Sequence, residues 1–246
     1  PGAPLEVVKL TPWVDRPLDR LSGRLEWYDS IAGRMTWQAT AKHKFNFFID
    51  NQTACNCGAT SAANSLEVGQ GYRFEPNRFM QATWNAPVTS RLLLEAGIGG
   101  SVSQWNNFWR TGVQAKTVSI TDSGLGKTSG ASATYRGHPN YTNRYTQRFS
   151  ATYVTGSHTV KTGVQTEQLF TDNFVNASGN NVSYSFRNGV PQSLTQRTTP
   201  YLKQEGSHDF GMFVQDQWRV YRWTFNYGVR FDSLNGYVPA QNIPGS

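Results

Sequence analysis

The chain has 246 residues and a formal net charge of +7; hydrophobic residues make up 37% of it and Phe, Trp and Tyr 13%. No apolar run approaches the ~18 residues of a spanning helix, so a membrane could be crossed only by strands. The basic residues are spread along the chain instead of clustering on one element, which argues against a nucleic-acid partner.

Residues 1–28, with Pro1, Pro4, Pro12 and Pro17, read as a loop. Four hairpins follow, over residues 31–52, 78–99, 144–168 and 208–233. In each, an alternating apolar and polar run passes through a short polar turn into a second such run. In the first, Met35, Trp37 and Ala39 share a face with Phe45, Phe47 and Ile49 beyond the turn. In the second, Met80, Ala82 and Trp84 match Leu92, Leu94, Ala96 and Ile98, with Pro87 in the turn, where no ladder donor is needed. In the third, Tyr145, Phe149, Ala151 and Tyr153 match Val160 and Val164. The last is the clearest: Trp223, Phe225, Tyr227, Val229 and Phe231 alternate with Thr224, Asn226, Gly228, Arg230 and Asp232. Asp216 departs from the scheme, sharing its parity with Met212 and Val214, which predicts a position near the strand end, beyond the hydrocarbon.

A strand divided in this way separates two solvents. In a soluble sandwich the apolar face meets a core; in an outer-membrane barrel it meets lipid and the polar face lines a lumen. Arg34, Glu95, Arg148, Lys161, Glu167 and Arg230 fall on the polar side and are candidate lumen residues, able to pair across strands. The connections alternate in length: the turns within hairpins are short, whereas residues 53–77, 100–143 and 169–207 are long and rich in Gly, Ser, Asn and Thr. Short turns on one side and long loops on the other suit an outer-membrane barrel. The expectation is therefore an all-β fold, an antiparallel up-and-down transmembrane β-barrel of which this chain is a part, with about eight spanning strands and long extracellular loops. A small passive pore closed on itself and a secreted glycan-binding β-sandwich are the alternatives.

Within the long loops, Asn188-Gly189 between two alternating runs predicts a further hairpin outside the membrane. Cys55 and Cys57 make a poor zinc site and are candidates for a loop disulfide. Trp105, Phe108 and Trp109 could form a ligand-stacking platform, although an interfacial aromatic girdle explains Trp105 equally well. Gly126-Lys127-Thr128 lacks the first glycine of a phosphate loop and sits in a polar loop, not between a strand and a helix. The histidines have no nucleophile and orienting carboxylate placed by a recognisable motif, so neither an enzyme nor a cofactor is expected.

Phe213-Val214-Gln215-Asp216-Gln217-Trp218, followed by the alternating strand to Gly228-Val229-Arg230-Phe231-Asp232, resembles the barrel of TonB-dependent outer-membrane transporters. Residues 34–48, 91–97 and 153–163 resemble the Oar-like branch, which carries a carboxypeptidase-regulatory-like domain. The resemblance implies a barrel of about 22 strands in the bacterial outer membrane, plugged by a globular domain and energised by the TonB complex, that moves a scarce ligand by uptake or export. The matched positions are scaffold, so no ligand-contacting residue carries over. No plug sequence is seen in these residues, so the chain is expected to be an interior stretch of such a barrel, with the plug, TonB and outer-membrane lipid as partners outside it.

Overall fold

A computed structural model describes residues 26–57, 63–110 and 112–240; of the loop expected over residues 1–28, residues 1–25 lie outside them, and Glu26, Trp27 and Tyr28 are strand instead, paired with the far end of the second strand. Twelve strands occur among the described residues: β1 Glu26–Gln38, β2 Lys44–Asn56, β3 Gly71–Pro87, β4 Leu92–Phe108, β5 Ser119–Asp122, β6 Lys127–Gly130, β7 Thr134–Thr155, β8 His158–Ala177, β9 Val182–Arg187, β10 Val190–Gln196, β11 Tyr201–Val220 and β12 Trp223–Tyr237. Eight of them form one antiparallel sheet in the order β1-β2-β3-β4-β7-β8-β11-β12, with β1 and β12 as its edges. The four expected hairpins are thus β1–β2, β3–β4, β7–β8 and β11–β12.

The register makes the apolar stripe continuous across all eight strands. Phe47 pairs with Met35 and Ala82, Ala82 with Ile98, Ala96 with Phe149, Phe149 with Val164, Val164 with Met212, and Met212 with Phe231. Paired residues share a face, so a band of one surface is apolar from edge to edge; just below the upper end of this band the same face carries Gln147, Thr166 and Gln168, which hydrogen-bond to one another. Ile98 on it is 61% exposed and Val229 72%. An apolar surface of this extent is not tolerated in water; it requires lipid. The sandwich alternative fails here, because no second sheet covers this face among the described residues.

Two aromatic belts bound the stripe. The lower one, by the short turns, holds Trp37 against Phe45, His43 against Trp84, and His158 stacked on Trp218 with ring centroids 5.6 Å apart. The upper one runs Tyr145, Phe170, His208, Tyr237 at centroid distances of 6.4, 6.0 and 5.6 Å. From His158 to Phe170 along β8 the chain climbs ~40 Å, or about 28 Å of height at a 45° tilt, close to the ~25 Å apolar band of such barrels. Above the upper belt the same face turns polar: Tyr141 donates to Asp172 at 2.8 Å and Gln204 to the same carboxylate at 3.2 Å. Asp216 lies at the lower belt, held by His158 Nδ1 at 2.6 Å and the Tyr227 hydroxyl at 2.8 Å.

The strands run much further than alternation predicts. β7 has 22 residues and β8 and β11 have 20 each, about twice what crossing a tilted bilayer requires. A large part of the stretches expected to be loops over 53–77, 100–143 and 169–207 is instead wall strand that rises out of the membrane. The reason is physical: once both faces of a strand meet water, the period-2 signal disappears while the ladder of hydrogen bonds continues.

The described residues of the true connections, 63–70, 112–133 and 178–200, fold together into a cap. Its sheet has the order β10-β9-β5-β6, with β5 parallel to β9, and Asn64 bridges to Thr128 on the β6 side. The β9–β10 hairpin is the one expected, turning at Asn188 and Gly189 with φ of 51° and 78°, the pair of positive values a two-residue hairpin turn demands. Gly126-Lys127-Thr128 lies in the β5–β6 hairpin, with no helix to receive a phosphate. Burial concentrates around this cap, where Ala131 and Ser178 are at most 1% exposed and Ser119 3%.

Candidate functional site

The inward, polar face of the wall carries all six candidate lumen residues. Glu95 on β4 takes the Lys161 ammonium of β8 at 2.9 Å, across the intervening β7, and Ser150 of β7 donates to the same carboxylate at 3.3 Å. Glu167 pairs with Arg144 at 3.3 Å and Arg230 with Asp232 at 2.7 Å. Arg34 rests on the Phe48 ring at 5.6 Å. Arg148 lies flat over Gly97, where a Cβ would meet its Nε at 2.8 Å. The Phe213 ring covers Gly163 in the same manner, and Arg230 covers Gly211. Glycines under long side chains thus flatten the inner wall, and its charges are largely met within the wall itself.

Hollows of about 690 and 490 Å³ lie on the opposite, lipid-facing surface, where Ala82, Ala96 and Gly100 leave gaps between larger neighbours such as Phe47, Ile98 and Phe149. Acyl chains fill such gaps, and their position on the outer face separates them from any ligand path.

Above the upper belt the inward face changes character. A bulge between Phe74 and Asn77 brings Phe74 into the same row as Trp105. Trp105 stacks on Phe74 at 6.1 Å and meets Tyr72 at 5.8 Å. The Arg136 guanidinium sits over the Trp105 ring at 5.1 Å and also donates to Asn173 Oδ1, while its backbone N–H donates to Asn107 Oδ1 at 2.7 Å. Asn140, 1% exposed, donates to the Trp105 carbonyl. Aromatic rings with interleaved amides thus line the extracellular end of the lumen. Phe108 and Trp109 do not join them: Phe108 lies against Gly71 and Trp109 packs edge-on against Tyr135 at 5.7 Å. Burial pushes the Tyr135 hydroxyl above its ordinary pKa, a shift that the Ser132 N–H donating to it partly offsets. Sequence reasoning left out Tyr72, Phe74 and Arg136 because they fall in stretches taken for loops. The Tyr72-Arg73-Phe74 alternation was their one local signal.

Cys55 and Cys57 form a disulfide at the top of β2, and Arg110 donates to the Cys57 carbonyl at 2.8 Å. In the cap, Asp122 accepts from the backbone N–H groups of Gly124, Leu125, Asn188 and Gly189 at 2.7–3.1 Å, tying the β5–β6 and β9–β10 turns together. Desolvation alone would raise the Asp122 carboxyl, but the four donors outweigh it and hold it below the usual carboxylate value.

In fold, the chain is similar to the outer membrane transporter YddB from Escherichia coli, at a TM-score of 0.55 and 12% sequence identity, over 86% of this chain and 28% of that one. No curated protein matches this chain in sequence. The Outer membrane beta barrel domain family matches residues 20–243, nearly the whole chain. With its two belts, lipid-facing stripe and polar inner wall, this chain is a part of a bacterial outer-membrane β-barrel and belongs to that family.

Proposed function

We propose that this chain forms part of the wall of a TonB-dependent outer-membrane transporter, one that moves a scarce ligand through a barrel closed by a plug domain lying outside these residues. The observation that carries the reading is the open sheet. Among the described residues β1 and β12 each pair on one side only, so these eight strands do not close on themselves as a small passive pore requires. A wide wall flattened by Gly97, Gly163 and Gly211, with its charges largely met internally, supports a lumen that receives a folded plug. The cap and the aromatic wall above the membrane supply the recognition surface, and no catalytic role is assigned.

Reconstitution of the full-length protein into liposomes tests this reading. A plugged transporter gives no swelling in isotonic sugar and co-purifies with the periplasmic domain of TonB. Rapid swelling without TonB binding would establish the passive pore instead.

A further inference from the structure

We propose that the inward face at the extracellular end of β3, β4 and β7 is a saccharide-binding subsite, in which Trp105 and Phe74 receive the face of a sugar ring and the surrounding amides receive its hydroxyls. This deepens the transport reading by naming the class of ligand.

Three observations converge on it. The first is polarity: within the membrane the inward face is mainly polar and charged, yet just above it the bulge at Phe74 adds a ring to the row that Tyr72 and Trp105 occupy. Aromatic side chains on a water-facing surface offer apolar faces that a pyranose ring covers with its C–H groups. The second is unmet hydrogen bonding. Asn56 Oδ1, Asn107 Nδ2 and Asn140 Oδ1 have no partner, although buried polar atoms almost always have one. Asn56 and Asn107 are the two cross-strand neighbours of Tyr72, and Asn140 reaches the Trp105 backbone. Two acceptors and one donor around the rings match vicinal hydroxyls, which both donate and accept.

The third is charge. Arg136 is the cation of the cluster, and the groups it meets are neutral: the Trp105 ring, the Asn107 and Asn173 carbonyl oxygens. A multiply anionic chelate would need several cations here. An extended peptide would need a free strand edge, but β3 is paired on both sides here, and past Gln104, where the β4–β7 ladder stops, Asn140 already occupies the Trp105 carbonyl. A mainly neutral, polyhydroxylated ring compound fits, and Arg136 leaves room for an occasional carboxylate on it.

The test uses the full-length protein in a detergent without a sugar headgroup, probed on an array of neutral and uronic-acid oligosaccharides, with the strongest binder titrated by calorimetry. Trp105→Leu is expected to weaken binding about tenfold, and Trp109→Leu, outside the cluster, to leave it unchanged. Asn56→Leu removes an acceptor that has no protein partner, so it should preserve the heat-shifted gel band of the folded barrel while weakening binding about fivefold. Absence of any oligosaccharide binder, or full affinity in folded Trp105→Leu and Asn56→Leu proteins, overturns the subsite. Energised uptake without saccharide binding sinks the subsite and leaves the transporter standing. Saccharide binding lost in these variants, in a protein that does not engage TonB, keeps the subsite and sinks the transporter.

Discussion

The membrane wall and the extracellular cap solve opposite problems with the same chain. In the wall, side chains such as Val164 and Met212 stay exposed because lipid is their core, and the ladders between neighbouring strands pair the backbone groups that the bilayer cannot satisfy. In the cap, where water lies on all sides, the structure holds together by burial and convergent hydrogen bonds: Ser178 donates to the Ser132 carbonyl at 2.7 Å, Gln70 to the Thr134 carbonyl at 2.7 Å, and Asp122 ties two turns. The difference teaches that stability in this protein is set by which solvent a residue meets, and substitutions should divide accordingly.

The largest effect is expected where the wall is given the wrong solvent. Val164→Arg, midway between the belts on the lipid face, should destabilise the barrel by about 2–4 kcal/mol in denaturant titrations of the full-length protein in bilayers. Its inward neighbour changed as Gln165→Arg should shift the same curve by under about 0.5 kcal/mol. Equal costs would mean that the two faces are not lipid and lumen.

Gly163→Val tests the wall's flatness. A Cβ there would come within 2.7 Å of the Phe149 carbonyl and 2.8 Å of the Phe213 ring, so a cost of about 1–3 kcal/mol is expected. Combining it with Phe213→Ala should recover only the part of that cost due to the ring.

In the cap, Asp122→Ala should speed hydrogen exchange at Gly124, Leu125, Asn188 and Gly189 while leaving the wall amides protected. The pH dependence has a fixed sign. The Asp122 carboxyl is held below the ordinary carboxylate range in the folded cap, so its contribution is complete above that ordinary range and fades as the pH falls through the lower, folded value. Cap protection that instead weakened as pH rose from 5 to 8 would contradict the arrangement.

The smallest effect belongs to the ion pair in the wall. Lys161 and Glu95 are about a third exposed, so a double-mutant cycle should give a coupling below about 1 kcal/mol, reduced further by salt. A much larger coupling would imply a dry lumen.

Much of the wall was legible in advance. The Trp223-to-Phe231 alternation, the hairpin turns and the Asn188-Gly189 turn each rest on interactions within a few residues, and a strand between lipid and water writes its orientation into every second position. By itself the sequence therefore determined an all-β wall with an apolar outer face and a polar inner one. Only the tertiary structure decided how far β7, β8 and β11 continue above the membrane, since a strand wet on both faces carries no alternation. It also decided which distant segments meet: Asp122 with Asn188, Glu95 with Lys161 across β7, and Phe74 with Trp105 beside Arg136. Such meetings depend on register and loop closure over tens of residues, and no local pattern of side chains encodes them.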